Sequence, residues 1–176
     1  MSTSLKIRKS LPDDWQALYD VYGAAFPDEE LRPVVKELLA LGPQVLSLVA
    51  VIEDVVVGHV LFTRCAVGSE DGPAAWLLAP LAVTPDHQKS GCGTTLVREG
   101  IAQVEALEAG LVLVLGDPAY YGRFGFGTES QVLAPFDIPS EWSGAWQSIR
   151  PTSGQSAARG RLKVPDPWNK PVYWAP

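Results

Sequence analysis

Cysteine is scarce in this chain of 176 residues, which has only Cys65 and Cys92. The two stand in no CxxC arrangement, which fits a reducing cytosol with both thiols free and gives no metal-ligand set. Positive charge is also short: 14 Lys and Arg face 20 Asp and Glu, for a net charge of -6. A nucleic-acid partner needs clustered Lys and Arg for its phosphates, so none is expected. The same negative balance weakly favours a cationic substrate by long-range steering. No stretch approaches the ~18–20 uninterrupted apolar residues of a membrane helix, so no membrane partner is expected. The opening MSTSLKIRKS lacks the apolar centre of a signal peptide, and a cytoplasmic location is the expectation.

What is present is ordinary for a globular protein, with 47% hydrophobic and 19% charged residues. The length suits one domain able to bury a core without metal or disulfide help. We expect a single domain over residues 1–176, with a core at about 5–134 and a Pro- and Trp-rich extension at about 135–176 packed on it. No internal repeat is visible.

Leu5 and Ile7 alternate with Lys6 and Arg8, a short half-buried strand. Ser10 with Asp13 resembles a capping box, and Pro12 lies where a helix should start. Trp15, Leu18, Tyr22 and Phe26 then recur at helical spacing until Pro27. A second helix is expected from about Asp28 to Leu41, or from Arg32 if Pro33 sits in its first turn. Val45–Ile52 and Val55–Thr63 read as an antiparallel hairpin joined tightly at Glu53-Asp54. Ser69–Pro73 is a loop by composition, and Ala75–Val83 is a third strand. Val97, Ile101, Val104 and Leu107 form a helical stripe that Gly110 should stop. Leu111–Leu115 is a continuous apolar run, as expected of a strand buried on both faces. Strand, helix and strand in that order imply a right-handed crossover with the two strands parallel. Beyond it, Ala145–Arg150 and Arg159–Val164 are candidate strands joined by a flexible Pro151–Ala158. Trp142, Trp146, Trp168 and Trp174 require cover.

The chemistry concentrates in Leu77–Gly93, LLAPLAVTPDHQKSGCG. A strand, a glycine-bearing turn and a helix start bring several backbone N–H groups to one point, where the helix dipole favours an anion. A phosphate or pyrophosphate is therefore expected there. A dinucleotide-binding fingerprint is incomplete, because Gly91 and Gly93 are followed by Leu96. No acidic residue at the end of the next strand is placed to take a ribose, because Leu111–Leu115 runs into Gly116, and the preceding meander is antiparallel. A P-loop is absent, since no GK[ST] occurs. A simple left-handed turn explains the glycines but not the helix start beneath them.

Gln88-Lys89-Ser90-Gly91-Cys92-Gly93 resembles the Q/R-x-x-G-x-G/A motif of the GNAT superfamily of N-acetyltransferases, after a strand with Leu-Ala-Val. Asp117–Phe126, DPAYYGRFGF, resembles the Y-x-x-x-G-F end of the same domain. Together they are similar to the YhbS-like branch, and the likeness spans roughly Leu5 to Gly127. The resemblance implies a mixed α/β (α+β) GNAT-like fold: an antiparallel meander plus a β-α-β crossover with splayed parallel strands.

It also implies acetyl-CoA as cosubstrate. Backbone N–H groups of about Lys89 to Thr94 would take the pyrophosphate, in a cofactor-binding turn made of Gln88, Lys89, Ser90, Gly91, Cys92, Gly93 and Thr94. The main chain of Leu81, Ala82 and Val83 would hold the pantetheine. The acceptor would be a small-molecule or peptide amine, and the oligomeric state is open, a homodimer included. Tyr121 matches the family's general acid, while Tyr120 reads as packing with Phe124 and Phe126. A general base is not evident. Glu29 and Glu30 read as a solvated helix start, His59 as a satisfied core histidine and His87 as exposed, so a water relay is open. Cys92 reads as loop filling rather than a nucleophile, and Asp117 and Arg123 are candidates for shaping the cofactor site. Two other functions remain open: a non-catalytic acyl-CoA-binding regulatory module, and a toxin-like acetyltransferase acting on aminoacyl-tRNA, against which the acidic balance argues. Because the turn works through its backbone, Gly91→Val should weaken acetyl-CoA binding. Isothermal titration tests this, and an unchanged affinity would reject the pyrophosphate assignment.

Overall fold

The computed structural model describes residues 4–151 and 157–175. In chain order the elements are β1 (Leu5–Lys9), α1 (Trp15–Ala25), α2 (Arg32–Leu39), β2 (Val45–Ile52), β3 (Val55–Val67), β4 (Ala74–Val83) and α3 (Cys92–Ala106). They continue as β5 (Val112–Leu115), α4 (Pro118–Tyr121), β6 (Gly127–Thr128), β7 (Val132–Leu133), β8 (Trp146–Ile149) and β9 (Gly160–Lys163). This is the expected mixed α/β arrangement. Among the described residues no helix is long and apolar enough to cross a membrane. The chain forms two compact units, Met1–Phe62 with Ala79–Gln103, and Thr63–Leu78 with Val104–Pro176.

In the first unit the strand order is β1-β2-β3-β4. β1 runs antiparallel to β2, from Leu5↔Ile52 to Lys9↔Leu48. The tight link to β3 is formed by Glu53 and Asp54 at φ 50° and 65°, the two left-handed residues that match a hairpin's twist. Successive residues of β3 face opposite ways. A Cβ on Gly58 would lie 3.0 Å from Leu96 Cδ1 of α3, whereas His59 meets Tyr22 of α1. Helices thus cover both faces here. That is why Val45–Ile52 and the start of β3 read as near-continuous apolar runs rather than alternations.

Two helix ends differ from the expectation. Ser10 does not cap α1, because its hydroxyl donates to Ser47 Oγ at 2.6 Å. Asp14 instead accepts from Leu11 N–H at 2.6 Å, which ties the turn that precedes the helix. The same carboxylate receives both Arg8 guanidinium nitrogens, at 2.8 and 2.9 Å, and the Arg8 hydrogen bond holds it below the usual carboxylate range. A single 3-10 turn, Pro12–Asp14, then leads into α1. At the other end of α3, Glu108 rather than Gly110 adopts the left-handed conformation, with φ 64°. Ala109 N–H reaches back to Val104 O at 3.0 Å, which closes the helix by a Schellman-type bond. Leu107 therefore lies past the helix and stays exposed, while Leu96, Val97 and Val104 are fully buried.

In the second unit β4 pairs with β5 in parallel at Trp76↔Val112 and Leu77↔Leu113, as the crossover requires. β8 follows antiparallel on β5, from Val112↔Ile149 to Leu115↔Trp146, and β6 lies beyond it. β9 pairs with β3 and with β7. The candidate strands at 145–150 and 159–164 thus become β8 and β9, and most of the flexible segment expected between them falls outside the described residues. Trp146, Trp168 and Trp174 are all buried. Trp146 Nε1 donates to Val132 O at 2.7 Å and Trp174 Nε1 to Trp168 O at 2.9 Å. Trp142 is half-buried.

His59 is wholly buried, with Nδ1 2.7 Å from Tyr22 Oη and Nε2 2.7 Å from Ser47 Oγ. Burial lowers its pKa from 6.5 to about 3, against the opposing pull of the Asp14 charge. Between pH 6.5 and the carboxylate range the unfolded chain binds a proton at this imidazole that the folded chain refuses. Stability must then fall as pH drops below 6.5. Thermal unfolding followed from pH 7 to about 5 should show this loss in the parent chain and a flatter profile in His59→Gln. Equal slopes in both would reject a buried neutral His59 as its source.

Candidate active site

The turn between β4 and α3 is built to expose backbone. Thr84 N–H donates to Val57 O at 2.9 Å and anchors the end of β4 to β3. Pro85–His87 makes a 3-10 turn, and Lys89 and Gly91 then take left-handed conformations at φ 62° and 87°. Three side chains bond carbonyls of the same stretch. Gln88 Nε2 donates to Val83 O at 3.0 Å, Ser90 Oγ to His87 O, and Thr95 Oγ1 to Gly91 O at 2.8 Å. Thr95 N–H also reaches Gly91 O, at 2.9 Å. Cys92 and Gly93 stand in the opening turn of α3, where a helix's own ladder leaves N–H groups unpaired. A left-handed turn running into a helix N-terminus forms an anion-binding concavity.

Gly91 has no heavy atom within 4 Å of where a Cβ would stand. The space above the turn is open, so a substitution there is opposed by backbone conformation rather than by a clash. That conformation costs an L-residue roughly 1–2 kcal/mol, or about tenfold in any affinity that needs it. Gly93 and Thr94 lie in the first turn of α3, while Leu81, Ala82 and Val83 end β4.

Cys92 begins α3 but faces inward. A Cβ on Gly58 would lie 3.1 Å from its Sγ and 3.2 Å from Ala82 O. Burial pushes the thiol pKa up to about 11. Cys92 is a filler between α3 and β3, not a nucleophile. Gly58 escaped the sequence reading, although an isolated glycine inside a strand signals a close backbone approach.

Tyr121 stands at the end of α4, in the second unit. Asp117 caps that short helix, accepting from Ala119 N–H at 2.9 Å, and its carbonyl accepts from Tyr121 N–H at 2.9 Å. The Tyr121 ring lies edge-on to Tyr120 and Phe126, at centroid distances of 5.0 and 5.8 Å. Its hydroxyl has no hydrogen-bond partner among the described residues. Burial first, and the neighbouring Tyr120 second, push this phenol above its usual range. Tyr120 is held differently, with the Arg123 guanidinium 4.5 Å over its ring and Arg123 Nε on its carbonyl at 3.0 Å. Asp117 and Arg123 thus shape the α4 turn itself.

The other candidates are engaged elsewhere. Glu30 forms an ion pair with Arg32 at 2.7 Å, and Glu29 is exposed. His59 is the satisfied core histidine expected. His87 is half-buried rather than exposed, with Nδ1 3.0 Å from Thr84 Oγ1. Among the described residues no cluster of three His, Cys, Asp or Glu is placed to hold a metal.

Residues 15–126 match the family described as "Acetyltransferase (GNAT) family". An uncharacterized N-acetyltransferase of Escherichia coli K12, YjhQ, is 35% identical over 152 residues, 84% of this chain and 78% of its own. YhbS, another uncharacterized N-acetyltransferase of that organism, is 32% identical over 140 residues, 78% of this chain and 80% of its own. Among solved structures, E. coli YhbS in complex with CoA aligns with TM-score 0.85 at 27% identity, covering 97% of this chain and 94% of its own. A GNAT acetyltransferase from Brucella melitensis in complex with acetyl-CoA aligns with TM-score 0.76 at 29% identity, covering 94% and 98%. A mixed sheet, a left-handed turn heading α3 and the tyrosine-bearing turn after β5 accompany these matches: the chain belongs to the GNAT acetyltransferase family.

Proposed function

We propose that the chain is a single acetyltransferase domain that moves the acetyl group of acetyl-CoA directly to a primary amine, with Tyr121 as general acid. The observation that carries this is the turn Gln88–Thr94, where left-handed Lys89 and Gly91 lead into the N-terminus of α3. The likeness to the Brucella protein in complex with acetyl-CoA supports the donor. The turn fits a pyrophosphate because its carbonyls at His87 and Gly91 already accept from Ser90 and Thr95. An incoming anion thus meets N–H groups with less opposition from bare oxygen. Backbone N–H groups from about Lys89 to Thr94 would take the diphosphate, and the main chain of Leu81–Val83 would hold the pantetheine.

Acetyl-CoA supplies the thioester carbon that the amine attacks. The C–N bond forms, the C–S bond breaks, and the departing sulfur takes the Tyr121 proton. Solvent takes the proton lost by the amine and returns one to the phenol. Burial keeps Tyr121 protonated, so the phenol holds a proton that a thiolate forming nearby could take. Among the described residues neither His59 nor Glu30 is free to act as base, since each is already paired. A water relay is therefore the proposed path for the amine's proton.

Acetyl-CoA should raise the melting temperature of both the parent chain and Tyr121→Phe. Turnover, screened over a panel of primary amines, should fall roughly 10²-fold or more in the variant. Parent kcat should show no alkaline decline below the usual phenol pKa of about 10. Full turnover by Tyr121→Phe would overturn the general-acid role, and the absence of any shift with acetyl-CoA would overturn the donor.

A further inference from the structure

Gly116 follows the last residue of β5, five positions before Tyr121, and its peptide groups are fixed on both sides. Its N–H donates to Ala145 O at 2.9 Å. Its carbonyl accepts from Gln147 Nε2 at 3.1 Å, and Gln147 is itself buried. A Cβ built on Gly116 would lie 2.5 Å from Tyr121 Cε2, 3.0 Å from Cδ2 and 3.5 Å from Cζ. The first separation is far inside van der Waals contact, so the phenol ring rests directly on the glycine's α-carbon. Gly116 is not among the residues with positive φ. An alanine could adopt this backbone, and what the position excludes is the side chain.

The ring has little room to yield. Tyr120 and Phe126 stand edge-on to it at 5.0 and 5.8 Å, and Phe124 is tilted against it at 6.3 Å. The turn that carries it is tied by Asp117 O to Tyr121 N–H. A side chain at residue 116 must therefore tip or lift the phenol. We propose that Gly116 is a positioning residue whose missing side chain sets the height and tilt of the Tyr121 hydroxyl for proton donation, resting on the general-acid role given to Tyr121 above.

The test is a double-mutant cycle of Gly116→Ala and Tyr121→Phe, with acetyl-CoA affinity measured by titration and kcat by mass-spectrometric detection of the acetylated amine. Alanine alone should leave acetyl-CoA affinity unchanged and lower kcat by about 10²-fold, the scale of a 1 Å misplacement. In Tyr121→Phe the ring remains but has no hydroxyl to misplace, so adding Gly116→Ala should change kcat by less than about twofold. An equal loss in both backgrounds, or a parallel loss of acetyl-CoA affinity, would overturn the positioning role and leave a structural one. Full turnover by Tyr121→Phe alone is a separate result that removes the general-acid role itself, and this proposal with it. If Gly116→Ala does not fold, Gly116→Ala with Tyr121→Ala decides: recovery of folded protein supports the ring contact, and failure to recover overturns it.

Discussion

The structure depends first on a turn that bonds its own carbonyls. Peptide N–H and C=O groups occur in equal number, so an anion approaching any bare loop meets attraction and repulsion together. Between β4 and α3, donors from Gln88, Ser90 and Thr95 are bonded to carbonyls at Val83, His87 and Gly91. That leaves the balance on the side of the N–H groups, where the helix dipole adds to it. The left-handed residues Lys89 and Gly91 let the chain make this arrangement in a few residues. Cys92 and Leu96, packed beside Gly58, then set α3 close against β3. What this turn would offer an anion is thus a property of main chain, with side chains in support.

The tyrosine-bearing turn reverses this arrangement, because in the proposed reaction the side chain would be the reagent and the backbone its support. Three aromatic rings and Gly116 surround one phenol, and burial keeps its proton in place. A comparable division appears around Glu129. Burial pushes that carboxyl up, but hydrogen bonds from Ser148, Val132, Gln131 and Arg150 together bring it below its usual range. In both places a polar group is desolvated. The difference lies in the company it keeps: Glu129 has donors on its oxygens, and Tyr121 has aromatic edges.

Much of this was legible in the residues. The hairpin at Glu53-Asp54 and the crossover between β4 and β5 stood where periodicity and spacing put them, because each rests on local pattern, whereas the two motifs were legible only by resemblance. The sequence was silent wherever a distant partner decides. Ser10 looks like a helix cap until Ser47, thirty-seven residues away, takes its hydroxyl. Gly110 looks like a helix stop, yet Glu108 turns first because Val104 O is within reach of Ala109 N–H. β3 runs on to Val67 rather than Thr63 because β9 pairs with Ala66 and Val67. Gly58 and Gly116 were plain in the sequence but mute, since a missing side chain acquires meaning only from what would collide with it.

The two cysteines carry a practical consequence. Burial raises Cys65 to about 12 and Cys92 to about 11, so both remain thiols at any pH at which an amine would be acetylated. Reagents that react with thiolates therefore find little on this polypeptide. In a colorimetric assay that traps sulfur released from a thioester, the enzyme contributes almost no background of its own. Turnover can then be followed continuously even when a sluggish acceptor demands high protein concentration.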